Sequence, residues 1–119
     1  MPLLYRTLGG YSVQRNCTAA TLYNANAIGG YDGSAPSSYL SSAEVYDPDQ
    51  DTWQTIASMG VARDNLGVAA LGNKIYAIGG VDVSYYSLTS AEVYDPDQDT
   101  WESIASMSVS RANLGVCAL

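Results

Sequence analysis

The sequence predicts an all-β chain built from repeated four-stranded antiparallel meanders, and three observations predict it. A stretch of 29 residues occurs twice: residues 43–71 read AEVYDPDQDTWQTIASMGVARDNLGVAAL and residues 91–119 read AEVYDPDQDTWESIASMSVSRANLGVCAL, with 23 of 29 positions identical at an offset of 48. No window carries a helical period; short apolar or alternating runs are punctuated by Gly, Asn, Asp and Pro. Tyr reaches 10 and Trp 2 while Phe is absent, a composition that favours strands. Self-similarity at this spacing marks a repeat architecture, in which each unit buries its faces against its neighbours.

Each element of the unit has its own reason. Residues 66–71 (LGVAAL) are small and apolar throughout, as a strand covered on both faces requires. Gly72-Asn73 is a tight-turn signal before the second strand at residues 75–78. Gly79-Gly80 ends that strand, where flexible backbone or close approach is needed. The AIGG tetrapeptide occurs at residues 27–30 and 77–80, an offset of 50. The two-residue discrepancy falls in the segment after the glycines, nine residues at 31–39 against seven at 81–87. A length change of this kind identifies a surface loop. Residues 91–94 alternate small or apolar side chains with Glu92 and Tyr94 and form the third strand. Residues 95–99 (DPDQD) form a turn, Pro fixing φ and Asp side chains capping nearby amides. Residues 101–104 form the fourth strand. Meanders at this period are the blades of a β-propeller.

These features together carry a family resemblance. The diglycines Gly29-Gly30 and Gly79-Gly80, the Tyr-Asp-Pro turns at Tyr46 and Tyr94, Trp53 and Trp101 six residues after Asp47 and Asp95, the Ala-Ser-Met triplets and the following Arg63 and Arg111 resemble the kelch repeat. The resemblance runs from about residue 15 to residue 119 and is similar in flavour to the animal kelch-like (BTB-BACK-kelch) proteins. It implies an incomplete propeller of about two blades with partial strands at both ends. Residues 1–14 are read as a degenerate partial blade, a strand running straight into the next unit. Residues 15–59 and 60–107 are the two repeats, and residues 108–119 the first strand of a third. Propellers close with roughly four to eight blades, so two cannot close. The chain is read as a segment of a larger propeller, or as a protomer that completes a ring with copies of itself.

Composition excludes several functions. Net charge is −7, from 12 acidic and 5 basic residues, so no basic stripe exists to bind nucleic acid. Histidine is absent, which removes the commonest general base and metal ligand. The aspartates at 47, 49 and 51 begin like a calcium loop, but that loop needs Gly and Glu where Thr52 and Ser58 stand, and Thr100 and Ser106 fail the second copy alike. No metal, cofactor or catalytic residue is expected. Neither a signal peptide nor a membrane span is legible, and Cys17 and Cys117 lack CxxC spacing; both read as small buried apolar side chains in a cytoplasmic protein. Asn16-Cys17-Thr18 matches a glycosylation triplet by chance composition.

The repeated residues and the loop residues divide by role. Trp53, Trp101, Tyr46 and Tyr94 are expected to pack blade on blade. Arg63 and Arg111, recurring once per unit with Glu44 and Glu92, are expected as ion pairs or backbone caps that tie neighbouring strands, the alternative being a ring that binds anions. Loops after the diglycines and loops leading into each first strand fall on one face. That face gathers Tyr31, Asp32, Tyr39, Asp82, Tyr85 and Tyr86 with Asp64, Asn65 and Asn113, and Tyr beside Ser, Asp and Asn suits protein recognition. The alternative is that these are solvated loop residues. The resemblance implies that such loops hold a protein or peptide, as in substrate receptors of cullin-type ubiquitin ligases; other kelch proteins bind actin or act as scaffolds. Kelch propellers also occur in copper oxidases and sugar-isomerising enzymes, but the absence of histidine removes the usual copper ligands.

Overall fold

The computed structural model describes residues 6–8, 11–13, 25–34 and 38–119, and among these every regular element is a strand. Strands β3 (Ala25–Ile28), β4 (Ala43–Asp47) and β5 (Thr52–Ile56) form one sheet in that order. Strands β6 (Gly67–Leu71), β7 (Lys74–Ile78), β8 (Ala91–Asp95) and β9 (Thr100–Ile104) form a second, four-stranded sheet. Every ladder joins consecutive strands antiparallel, so each sheet is a meander and the chain is all-β, as partial propeller blades require.

The turns follow from their residues. Gly72, at φ 61°, and Asn73 close a two-residue connection between Leu71 and Lys74. In the DPDQD turns, Asp47 Oδ1 accepts the Asp49 N–H at 2.9 Å and Asp95 Oδ1 accepts that of Asp97 at 3.0 Å. Asp51 and Asp99 both take φ 52°, a left-handed conformation that Asp tolerates better than most side chains. The turns set the register that puts Tyr46 opposite Trp53 and Tyr94 opposite Trp101, with ring centroids 5.3 and 5.2 Å apart.

The core lies between the sheets. Ile28, Ala43 and Met59 from the first unit meet Leu66, Val68, Ile75, Ala77 and Tyr94 from the second, and Ile56, Ala57 and Trp101 close over them. Neither sheet could bury these side chains alone.

Some expectations need correction or fall elsewhere. Residues 15–24, expected to hold the first strand of the first unit, with Cys17 and the Asn16 triplet, lie outside the described residues. The segment read as one strand running onward contains two, β1 (Arg6–Leu8) and β2 (Tyr11–Val13), paired with each other. Residues 108–119, expected as the first strand of a third repeat, join no ladder among the described residues. They run past Gly67, where an added Cβ would collide with Val116. Cys117, expected to be buried, is exposed and disulfide-bonded; Leu114 and Val116 are the side chains of this stretch that lie against Gly67.

The diglycines mark the closest approach. Gly30 N–H donates to the Arg63 carbonyl at 2.7 Å and Gly80 N–H to that of Arg111 at 2.8 Å. Gly29 and Gly79 take φ 62° and 65°, and a Cβ on Gly29 would stand 2.5 Å from the Arg63 oxygen, while one on Gly79 would overlap the Arg111 oxygen. Gly72→Ala, where an added Cβ meets nothing, is expected to cost about 1–2 kcal/mol from its left-handed backbone. Gly79→Ala adds the collision, a further ~1–3 kcal/mol. Urea unfolding of both variants reads the difference directly.

Candidate partner-binding face

The face that carries the loops is positioned by one buried cation. Arg63, on the segment that links the two units, is 0% exposed and reaches into the second sheet. Its Nη1 donates to the carbonyls of Gly79 and Ser90, both at 2.9 Å, and its Nη2 to Ser90 Oγ at 3.0 Å. Nε and Nη2 converge on Glu92 Oε2 at 3.3 and 3.1 Å. Glu92, 3% exposed, also accepts the Gly60 and Val61 amides at 2.6 and 3.3 Å. The pair is therefore an ion pair and a backbone cap at once, the non-anion-binding reading of the repeated Arg and Glu. Its counterparts at the two edges, Glu44 and Arg111, are exposed.

A second fastener lies at the outer strand. Trp101 Nε1 donates to the Ala57 carbonyl at 2.7 Å, and Asp99 Oδ1 accepts the Ala57 N–H at 2.8 Å and the Tyr94 hydroxyl at 2.8 Å. Trp101 and Tyr94 thus join unit to unit. Asp99, which the sequence presents as a turn cap, grips the neighbouring sheet instead; the recurrence of the whole Tyr-Asp-Pro-Asp-Gln-Asp-Thr-Trp string was the available signal. The Ala57 amide holds the Asp99 carboxyl below its ordinary value, helped by the Tyr94 hydroxyl. Desolvation first, and the bond to Asp99 second, push the Tyr94 phenol up to about 12. In the first unit Tyr46 donates equally to Asp51 at 2.6 Å, yet Trp53 remains 45% exposed. Lys74 and Asp95 pair at 2.8 Å at the end of β7 away from the diglycine.

These fasteners bring the two loop sets together. Asp64 and Val81 exchange both backbone bonds, at 3.0 and 2.8 Å. Leu40 N–H donates to the Gly30 carbonyl at 2.9 Å and Leu88 N–H to that of Gly80 at 2.8 Å, fixing both loop stems alike. Within the loops, Asp32 Oδ1 accepts the Ser34 amide at 2.8 Å, and Asp82 Oδ1 accepts those of Ser84 and Tyr86 at 2.8 and 3.1 Å. The Ser34 bonds hold the Asp32 carboxyl below its usual value.

Tyr31, Tyr39 and Tyr85 form a continuous edge-to-face run. Tyr31 and Tyr39 lie 5.5 Å apart at 66°, and Tyr39 and Tyr85 5.8 Å apart at 86°, the second contact crossing from one unit's loop to the next. Tyr85 is 79% and Tyr86 71% exposed. Tyr86 makes no ring contact with the run among the described residues. Desolvation raises the Tyr39 phenol, and the charges of Tyr85, Asp64, Tyr31 and Asp82 add to the shift. Asn65 and Asn113, at φ 50° and 56°, meet through backbone, Asn113 N–H donating to the Asn65 carbonyl at 2.8 Å. Among the described residues no group of acidic or sulfur side chains could hold a metal ion.

With two meanders, a diglycine stem and an arginine–glutamate lock established, the class is defined, and the Kelch motif model matches residues 26–60 and 62–108. The chain belongs to the kelch-repeat family. It is similar to Kelch-like protein 5 of Homo sapiens, 47% identical over 57 residues, which are 44% of this chain and 8% of that protein. It is similar to Kelch-like protein 1 of Mus musculus, 45% identical over 47 residues, 40% of this chain and 6% of that protein. Kelch-like protein 28 of Mus musculus is 42% identical over 45 residues, 38% of this chain and 8% of that protein. The chain spans less than a tenth of the length of these relatives.

Two predictions follow from the lock and the fastener. Arg63→Ala leaves Glu92 charged and buried, and is expected to lower stability by about 3–5 kcal/mol, whereas Arg111→Ala changes it by about 0.5 kcal/mol or less; chemical denaturation of both separates them. Because the Tyr94 phenol is raised from 10.0 to about 12 in the folded protein, the unfolded chain loses this proton first, and stability falls as pH rises through that window. Tyr94→Phe is expected to flatten the fall between pH 9 and 12, measured by thermal unfolding.

Proposed function

We propose that this chain is a non-enzymatic protein-interaction module that receives a partner protein or peptide on the loop face. The observation that carries the reading is the Tyr31–Tyr39–Tyr85 run, which crosses the joint between units and leaves Tyr85 79% exposed. Large rigid rings bordered by Asp, Ser and Asn form contacts at low entropic cost. The likeness to kelch-like proteins supports a finer form: substrate recognition within a cullin-type ubiquitin ligase adaptor, with actin as the other partner class. The cytoplasm is the compartment that form requires. The disulfide at Cys117 removes one of its sequence grounds, and no helix among the described residues is long and apolar enough to cross a membrane.

A second reading, head-to-tail assembly with another copy, has its own support. The side chains of the two fasteners recur at an edge: Trp53 for Trp101, Asp51 for Asp99, Arg111 for Arg63 and Glu44 for Glu92, with Ala105, exposed, in the place of Ala57. An open pocket of about 760 Å³ between Ile78, Met107 and residues 110–117 lies at the Arg111 edge.

Affinity capture with the chain carrying Tyr39→Ala, Tyr85→Ala and Tyr86→Ala is expected to lose partners that Trp53→Ala retains. Retention by the triple variant removes the loop assignment; loss with Trp53→Ala alone, together with a fall in mass by light scattering, favours assembly.

A further inference from the structure

The tyrosine run has an acidic border with no counter-charge. Asp32 and Asp82 stand on the same loops as the rings and Asp64 on the link bridged to Val81, and the Tyr39 phenol feels the charges of Asp64 and Asp82. Two of the three are oriented by their own loop: Oδ1 of Asp32 and of Asp82 is engaged by local amides. No Lys or Arg stands within ion-pair distance of any of them among the described residues, where the two ion pairs are Arg63–Glu92 and Lys74–Asp95. The ion pairs among the described residues thus neutralise two frame carboxylates, Glu92 and Asp95, and none of those beside the exposed rings. Edge-to-face contacts hold the rings in place and leave ring surface toward solvent, so the π faces are preorganised for a cation while the carboxylates supply its charge partner.

We propose that this face selects a cationic segment of its protein partner, an arginine side chain lying on the Tyr39–Tyr85 surface with its guanidinium toward Asp64 and Asp82. The proposal rests on the loop-face reading above and specifies its ligand chemistry. Arginine fits better than lysine, because a planar guanidinium stacks on a ring and bonds a carboxylate at once. An acidic peptide would meet uncompensated negative charge.

The test is fluorescence anisotropy at physiological salt with four labelled peptides, Gly-Ser-Xaa-Gly-Ser-Xaa-Gly-Ser, where Xaa is arginine, lysine, citrulline or glutamate. The arginine peptide is expected to bind tightest and citrulline, its uncharged analogue, about tenfold more weakly. Tyr85→Asn, which keeps a residue suited to the φ of 65°, is expected to weaken the arginine peptide about two- to fivefold. Joint Asp32→Asn, Asp64→Asn and Asp82→Asn substitution weakens it about tenfold. Removing three charges elsewhere, by Asp49→Asn, Asp97→Asn and Glu102→Gln, changes it less than about twofold. Equal binding of citrulline and arginine peptides, or equal loss with the distant triple variant, overturns the proposal, and the peptide comparison holds even if a variant fails to fold. A random-peptide array separates this from the reading beneath it. Peptides retained through Tyr39 and Tyr85 but lacking arginine or lysine sink the cation proposal alone, whereas an array with no dependence on those tyrosines sinks both.

Discussion

The buried guanidinium of Arg63 is the interaction on which the rest depends. It sits in the link between two sheets and donates to the diglycine end of β7, to Ser90 and to Glu92. Desolvating a cation and a carboxylate is costly, and the cost is met only because the remaining Glu92 oxygen also takes the Gly60 amide. The same carboxylate ties down the linker backbone through the Gly60 and Val61 amides. The consequence is directional: the link cannot turn without breaking several bonds together, so the loop stems on either side keep one mutual position.

Much of this was legible in the sequence because the chain states its pattern twice. Strand positions, the Gly72-Asn73 turn and the Asp-capped turns follow from local chemistry, and local chemistry is what a string of residues records. Long-range partners were less legible. Asp99 reads as a turn cap, and its bond to Ala57 spans 42 residues. Trp53 and Trp101 occupy identical strings, yet one is 45% exposed and the other is packed against the core; the difference lies in which sheet stands next door, which no window contains. Cys117 was misread for the same reason, since a small apolar neighbourhood in sequence does not guarantee a cover in space. On the candidate face, loop membership was legible, whereas the edge-to-face run was not, because it forms between loops of different units.

Frame and loops divide the electrostatic work. Frame carboxylates engage backbone amides, a lysine and an arginine; Asp95 is held low first by its bond to Lys74, and Asp99 by the Ala57 amide. The phenol of Tyr94 belongs to this economy, raised by burial and by Asp99. Loop carboxylates answer to their own turns, Asp32 to Ser34 and Asp82 to Ser84 and Tyr86.

The loop stems carry one more implication. Gly30 and Leu40 close the longer loop and Gly80 and Leu88 the shorter one with the same backbone bond, at 2.9 and 2.8 Å. A clasp made only of main-chain atoms is indifferent to the letters between its ends. Tips can therefore be rewritten, lengthened or exchanged between blades as hypervariable loops are in antibodies, with new specificity grafted onto an unaltered framework.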